Sequence, residues 1–422
     1  MNVVISGWGS SGDVVPRIAV GAAVARRGHH VTFVGNPFFA GHARDAGMAF
    51  APVGTIEDHE RLTSGSHGYK LGAKGAHQLY ATHYFPHLEG FFDSVMAAAG
   101  SGPSVIVGEF GGAVAAEVLG APLVTVAVSP ASSVFARSRH DPPHPERLMP
   151  PVARWLARSG RGLALLYGLA ALRDRARRKQ PAAIAAPGDD HPLLRLRTHA
   201  GLPPQTSIRP RLAICLWPDW FAPPQPDWAR EAMIAGFPLY PRPTFPTGTA
   251  AMSTEVRGDG PIVVTAGTVA GPQRHLYDTA VAACVAIGRP AIMVTPQRSN
   301  ISGELPSGIT HLPYAPYHEL FGRASLIVHH GGIGVTSFAL AAGVPQIVMP
   351  MRGDQYDNGN RLVRLGVARM MSPTTTTPRQ LARAIDSLSR SRSVARRCRS
   401  WQSRVDPDEG LRGAAEAIER LA

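Results

Sequence analysis

Two short apolar runs near the C-terminus do most to restrict what this chain can fold into. Leu326-Ile327-Val328 delivers His329 and His330 into Gly331-Gly332-Ile333-Gly334, and an apolar segment with helical spacing follows. About twenty residues on, Pro345 to Met349 runs into Pro350-Met351-Arg352-Gly353-Asp354-Gln355. Runs this short and this apolar read as strands buried on both faces, the kind found in parallel sheets covered by helices. A buried strand that ends in a glycine turn and opens a helix aims free N–H groups and the positive end of the helix dipole at one point. That makes an anion site, usually for phosphate. In a parallel sheet the carboxyl ends of both strands face the same crevice. A diphosphate site and an Asp-Gln pair suited to hydroxyl recognition are therefore expected side by side, the combination a nucleotide sugar requires.

At 422 residues the chain is too long for one core, and two domains of about 200 residues are expected. Cys215, Cys284 and Cys398 are far apart and odd in number, with neither a disulfide framework nor a metal spacing, which points to a reducing cytoplasm. No apolar run approaches the ~20 residues needed to cross a bilayer. The N-terminus shows no secretory signal. The formal charge of +13 raises the question of nucleic acid or an anionic membrane. No zinc finger, RNP motif or helix-turn-helix accompanies it, so no nucleic-acid partner is expected. Solvated helix faces account for most of the arginine, with a peripheral contact at the inner membrane surface as the secondary reading.

The periodicities give an ordered series. Met1 to Ser6 reads as a strand, Val14 to Arg27 as a helix and His30 to Val34 as the next strand. Further strands are expected at Val105 to Val107, Leu123 to Val128 and Leu212 to Leu216. A second series starts with Ile262 to Ala266 and continues through Ala291 to Val294 and the two runs described above. Residues 1–217 and 261–422 thus read as two doubly wound halves joined by a proline-rich linker, 218–260. The basic amphipathic stretch 146–180 reads as a packed helical hairpin, an acceptor lid or a membrane contact.

Gly7-Trp8-Gly9-Ser10-Ser11-Gly12 matches the G-x-G-x-x-G of dinucleotide-binding folds. The second strand, however, ends Phe33-Val34-Gly35-Asn36-Pro37 without the acid that would hold a ribose, and Asp13 would put negative charge where a diphosphate needs donors. Asp13 has two other uses, which the residues leave open. It can act as general base toward a hydroxyl in the crevice, or it can cap the following helix.

Taken together, these motifs resemble the UDP-glycosyltransferase superfamily, the inverting nucleotide-sugar transferases of GT-B fold. The resemblance covers nearly the whole chain. It rests on Gly9-Ser10-Ser11-Gly12-Asp13, on His329-His330-Gly331-Gly332-Ile333-Gly334 with Asp354-Gln355, and on the Gly267-Thr268 turn. Trp217-Pro218-Asp219-Trp220-Phe221 with Gly236-Phe237-Pro238-Leu239 is most similar to the bacterial rhamnosyltransferases of glycolipid synthesis. The resemblance implies an α/β fold of two doubly wound Rossmann-like domains facing across a cleft, residues 1–217 binding the acceptor and 261–422 the nucleotide sugar, with a last helix that can pack back on the first domain. It implies Asp13 as the general base and His329 as a hydrogen-bond donor to the diphosphate. Gly332, Ile333, Gly334, Val335, Gly267 and Thr268 would complete the diphosphate site, Asp354 and Gln355 would bind sugar hydroxyls, and Tyr314 would pack on the nucleobase. Val335 stands where the family has Thr and Ser337 where it has Glu, which leaves UDP against dTDP open.

The implied reaction is transfer of a hexose from a nucleoside-diphosphate sugar to a hydroxyl of a small hydrophobic or lipid acceptor, as in natural-product or glycolipid glycosylation. No cofactor is expected beyond the sugar nucleotide as co-substrate, and no metal, since no Asp-x-Asp motif is present. Two alternatives share the architecture: a nucleotide-sugar epimerase and a catalytically silent sugar-nucleotide-binding protein. His83 and His87 are four apart and would share a helix face, with lining of the acceptor site as one reading, although Pro86 disturbs a helix interior there. The acceptor would be read by residues 56–178, which carry no transferable motif, and oligomeric state has no sequence signal.

Overall fold

The apolar runs fold as two parallel sheets. The computed structural model describes residues 1–64, 73–131, 141, 191–205, 208–240, 260–267, 273–351 and 353–421, so the 146–180 stretch and Thr268 lie outside the described residues. The first sheet contains β1 (Asn2–Gly7), β2 (His30–Gly35), β3 (Ala49–Pro52), β4 (Ser104–Val107), β5 (Leu123–Ala127), β6 (Leu212–Cys215) and β7 (Ala232–Ile234). The second contains β8 (Ile262–Thr265), β9 (Ala291–Val294), β10 (Ile309–Leu312), β11 (Leu326–His329), β12 (Gln346–Val348) and β13 (Ala368–Met370). Every strand pairing is parallel.

Burial on both faces explains the unbroken apolar runs. Val3 and Ile5 of β1 enter one core, and Val4 between them enters the core on the opposite face. In β11 the same division separates Leu326 and Val328 from Ile327. The strand orders are β3-β2-β1-β4-β5-β6-β7 and β10-β9-β8-β11-β12-β13. Each sheet therefore reverses its winding once, between β1 and β4 and between β8 and β11. Ligands of such sheets bind at the carboxyl ends of the strands flanking the reversal. Four loops occupy those places: the ones carrying Asp13, Glu109, Gly267 and His330.

Two features join the ends of the two halves to the first sheet. The proline-rich stretch 218–260 contributes β7, which pairs with β6 and extends the first sheet. The last helix, Glu409–Glu419, buries Leu411, Ala414, Ala415 and Ile418 in the same core as Val14, Ile18 and Ala22 of the first helix, Ser11–Ala25. Glu419 receives the Arg27 guanidinium at 2.7 and 2.6 Å. Gly236 (φ 110°) and Gly410 bring their backbones together here, where a Cβ on Gly410 would lie 2.6 Å from the Phe237 carbonyl oxygen.

The helix after β12, Gln355–Leu365, is tied to the first sheet through a buried guanidinium. Arg361 bonds Asp357 at 2.7 Å, Asp141 at 2.8 Å and the Phe221 carbonyl at 3.2 Å, and Arg364 adds a second bond to Asp141 at 3.0 Å. Asp357 is only 1% exposed and loses its charge-assisted bond if Arg361 is removed. Arg361→Ala is expected to cost about 3–5 kcal/mol. Arg364, half exposed, should cost under about 1 kcal/mol as Arg364→Ala. Urea denaturation of the two variants checks the contrast.

Candidate active site

The turn after β11 is built around a histidine that does not face the cleft. His329 is 0% exposed; its Nδ1 accepts the Gly331 N–H at 3.1 Å, and its Nε2 lies 3.0 Å from Gln346 Oε1. Because Nδ1 accepts, the proton sits on Nε2 and is donated to Gln346. Burial above all, together with the neighbouring His330, pushes the ring down to about 3 against a rise from Gln346, so it is neutral. This corrects the sequence expectation that His329 bonds the diphosphate: both of its nitrogens are committed inside the sheet. The imidazole at the loop surface is His330. It lies against both glycine turns, and a Cβ on Gly267 (φ 80°) would come within 2.8 Å of its ring; one on Gly332 would also collide with it.

The helix Ile333–Ala341 opens at this point with Gly332 as its N-cap and no side-chain cap. Its first backbone bond runs from Thr336 N–H to Gly332 at 3.0 Å, so the amides of Ile333, Gly334 and Val335 have no acceptor within the helix. The Val335 side chain is buried, which leaves its amide as its contribution. Ser337 donates its hydroxyl to the Gly334 carbonyl at 2.9 Å and is 3% exposed, so that hydroxyl is spent on the helix.

Asp354 and Gln355 follow β12 beside this turn. The Asn358 amide, fully buried, donates to the Gly331 carbonyl at 3.0 Å and to Asp354 Oδ2 at 2.9 Å, tying the glycine turn to the carboxylate. Gln355 Oε1 accepts the Met351 N–H at 2.8 Å and closes its own loop. Burial pushes the Asp354 carboxyl up to about 6, bonds from Ser129 and Asn358 pull it down, and the charges of Asp13 and Asp357 push it up again. Ser129 and Asp13 belong to loops of the first sheet. The charge of Asp13 thus reaches Asp354 from a loop of the other sheet.

Asp13 occupies the first turn of the helix Ser11–Ala25. Its Oδ2 accepts the Ser10 N–H at 3.0 Å and the Ser10 hydroxyl at 2.8 Å, the return half of a capping box. No hydrogen bond reaches Oδ1 among the described residues. Tyr314 lines a recess at the end of the second sheet with Val294, Pro296, Pro313, Ala315 and Tyr317. Two tyrosine hydroxyls brace the strand ends beside it, that of half-buried Tyr317 and that of buried Tyr277. Tyr317 meets Thr265 at 3.0 Å, and Tyr277 accepts the Ala266 N–H at 3.0 Å while donating to the Val294 carbonyl at 2.9 Å. His83 and His87 do not share a helix face: the helix Ala73–His83 ends at His83, which is buried, and Pro86 places His87 in a 3-10 turn, Phe85–His87. His87 stacks on Trp8 at 4.6 Å and lies 3.6 Å from Asp58.

Comparison with known proteins matches this arrangement to one group. Residues 281–405 match the Erythromycin biosynthesis protein CIII-like, C-terminal domain family. The chain is 29% identical over 203 residues to the O-mycaminosyltylonolide 6-deoxyallosyltransferase of Streptomyces fradiae, which covers 47% of this chain and 47% of that relative. It thus spans about half the length of that protein. It is 27% identical over 392 residues to Glycosyltransferase GtfC of Amycolatopsis orientalis, covering 87% of this chain and 85% of that one. Among solved structures, the glycosyltransferase VinC, crystallised with dTDP, aligns with a TM-score of 0.66 at 19% identity over 100% of this chain and 99% of that one. The spinosyn rhamnosyltransferase SpnG aligns with a TM-score of 0.65 at 18% identity over 100% and 99%. The chain has the two-domain GT-B fold of these glycosyltransferases and is similar to them in sequence.

In this GT-B chain, several site residues carry no sequence signal of their own. Asn358, Gln346 and Tyr277 act through partners 27, 17 and 17 positions away in sequence. Asn358→Ala removes the link between the glycine turn and Asp354. The donor KM is expected to rise about tenfold with a smaller change in kcat, since one charge-assisted bond is worth about 1.5–3 kcal/mol; initial rates at varied donor concentration check it. Asp354 predicts a pH dependence. Its folded form keeps the proton up to about 6, whereas an unfolded carboxyl loses it near 4, so this group lowers stability as pH rises through that window. The ionised form accepts hydroxyl bonds more strongly. The donor KM is therefore expected to fall as pH rises through about 6, and Asp354→Asn should flatten that profile.

Proposed function

We propose that the chain is an inverting hexosyltransferase that moves a sugar from a UDP- or dTDP-linked donor to a hydroxyl of a small hydrophobic or lipid acceptor. The observation that carries the reading is the helix N-terminus after β11, whose amides at Ile333, Gly334 and Val335 have no acceptor within the helix, beside Asp354, which Asn358 ties to the same glycine turn. Asp13 Oδ1 takes the acceptor's proton as the acceptor oxygen bonds the anomeric carbon. The bond from that carbon to the phosphate oxygen breaks on the opposite face, which inverts the centre, and the nucleoside diphosphate leaves with its charge on the amides of Ile333, Gly334 and Val335. One such fixed donor is worth ~3 kcal/mol in the transition state. The step needs no metal ion.

The name of the O-mycaminosyltylonolide 6-deoxyallosyltransferase supports a natural-product acceptor, and the dTDP complex of VinC supports a thymidine donor. Tyr314 would cover the base, Asp354 and Gln355 the sugar. No described helix is long and apolar enough to cross a membrane, which is compatible with a cytoplasmic enzyme or one resting on the inner membrane surface.

Incubation with UDP-glucose or dTDP-rhamnose and a mixed acceptor panel is expected to release nucleoside diphosphate only when acceptor is present. Asp13→Asn should lower that release at least about a hundredfold with the donor KM nearly unchanged. Wild-type rates in Asp13→Asn would remove the base assignment. Epimerised donor without acceptor would replace the transferase reading altogether.

A further inference from the structure

The loop after β4 stands at the reversal point of the first sheet, next to the Asp13 loop, and the reaction above leaves it unused. It reads Gly108-Glu109-Phe110-Gly111-Gly112 and leads into the helix Gly111–Leu119. The Glu109 carbonyl accepts the Gly112 N–H at 3.1 Å, closing a turn whose second residue, Phe110, has φ 48° and ψ −108°. That corner belongs to a type II′ turn and is normally glycine. Phe110 is the one non-glycine residue with positive φ among the described residues. The turn itself is held by close packing: a Cβ on Gly111 would lie 3.1 Å from Phe91 Cβ, and one on Gly112 would lie 2.7 Å from Ser6 Oγ. A glycine would relax this corner, yet an aromatic ring stands there, displayed at the carboxyl edge of the sheet. Strain kept in this way clusters at functional positions.

The ring of Phe110 packs 5.4 Å from Tyr80 and 4.9 Å from Tyr84. Tyr84 is buried behind it, while Phe110 and Tyr80 are half-buried and form the outer layer. The Tyr80 phenol, pushed up to about 12 by burial and then by the charges of Glu109 and Asp13, lies in the field of both acids. Arg17 joins the same floor, bonding Glu109 at 3.1 Å and the Asp13 carbonyl at 2.7 Å. Trp8, on the Asp13 loop, packs edge-on to Phe91 at 5.9 Å and adds a further ring to this side. The rigid aromatic faces and the carboxyl proposed as base therefore share one surface.

We infer that Phe110 and Tyr80 form the platform on which the acceptor lies, and that the acceptor is a flat-ringed alcohol or phenol, not an acyl chain. This rests on the proposed function in taking the Asp13 side as the acceptor side. Flat rings gain from offset or edge contact with an aromatic face, whereas a flexible chain gains only area and loses rotamer freedom.

The test is direct binding of 4-methylumbelliferone, a planar phenol, to the full chain by fluorescence, with decan-1-ol as competitor. Phe110→Trp keeps a flat face in the same turn and should bind as the wild type does. Phe110→Leu keeps apolar bulk in that turn and should bind about tenfold more weakly. Phe110→Gly should lose binding to the same extent without a lower melting temperature. Equal affinity in the Leu and Trp variants, displacement by decan-1-ol at lower concentration than the phenol itself requires, or no binding of the phenol to wild type would overturn the platform. Binding of dTDP is followed separately by thermal shift. Its absence would count against the donor reading and leave the platform result standing on its own.

Discussion

A neutral histidine sealed inside the second sheet keeps the glycine turn after β11 open. By accepting the Gly331 N–H, His329 lets Gly331 take φ 93°, at a point where a Cβ would lie 2.8 Å from the Gln355 carbonyl oxygen. The chain then enters the helix Ile333–Ala341 with no side chain spent on its first amides. Gln346 on β12 fixes the ring from below, and Asn358 seizes the Gly331 carbonyl from the side. Three elements thus converge on one glycine. A charged ring in that place would have no water and no counter-ion, so neutrality is a condition of the fold, and the amides at the helix mouth are its consequence.

The sheets were legible in sequence because a strand buried on both faces needs an unbroken apolar run, and few other structures do. The reversal points then follow from strand order, which put both glycine turns in the crevice. Assignment within the His329-His330 pair failed because the motif records a spacing but not a direction. Strand parity does not carry it either, since Val328 is as buried as Ile327; the contacts decide, with His329 held by Gly331 and Gln346 and His330, past the end of β11, lying against the glycine turns. β7 was hidden by proline-rich neighbours. The contacts of Asn358 and Tyr277 span distances in sequence that no local pattern encodes.

The N-terminal glycines show how a familiar spacing can serve another end. In a dinucleotide site they let a pyrophosphate approach the backbone. Here Gly9 has φ 132°, and a Cβ on it would lie 2.7 Å from Asp13 Oδ2. The glycine makes room for the Asp13 carboxylate. That carboxylate then spends one oxygen on Ser10, which fixes its rotamer, and the other meets no donor among the described residues.

Arg17 completes this seat in an indirect way. It lies one turn on from Asp13, close enough to pair with the carboxylate, yet its guanidinium goes to the Asp13 carbonyl, to Glu109 and to the Val126 carbonyl. A guanidinium on the carboxylate itself would stabilise the anion and weaken it as a proton acceptor. Placed on the backbone, the same cation holds the turn rigid without taking that oxygen. Glu109 absorbs the positive charge, and the loop that carries Glu109 also displays Phe110. One arginine therefore couples the position of the proposed base to the position of the proposed acceptor platform, through two loops on either side of the sheet's reversal point.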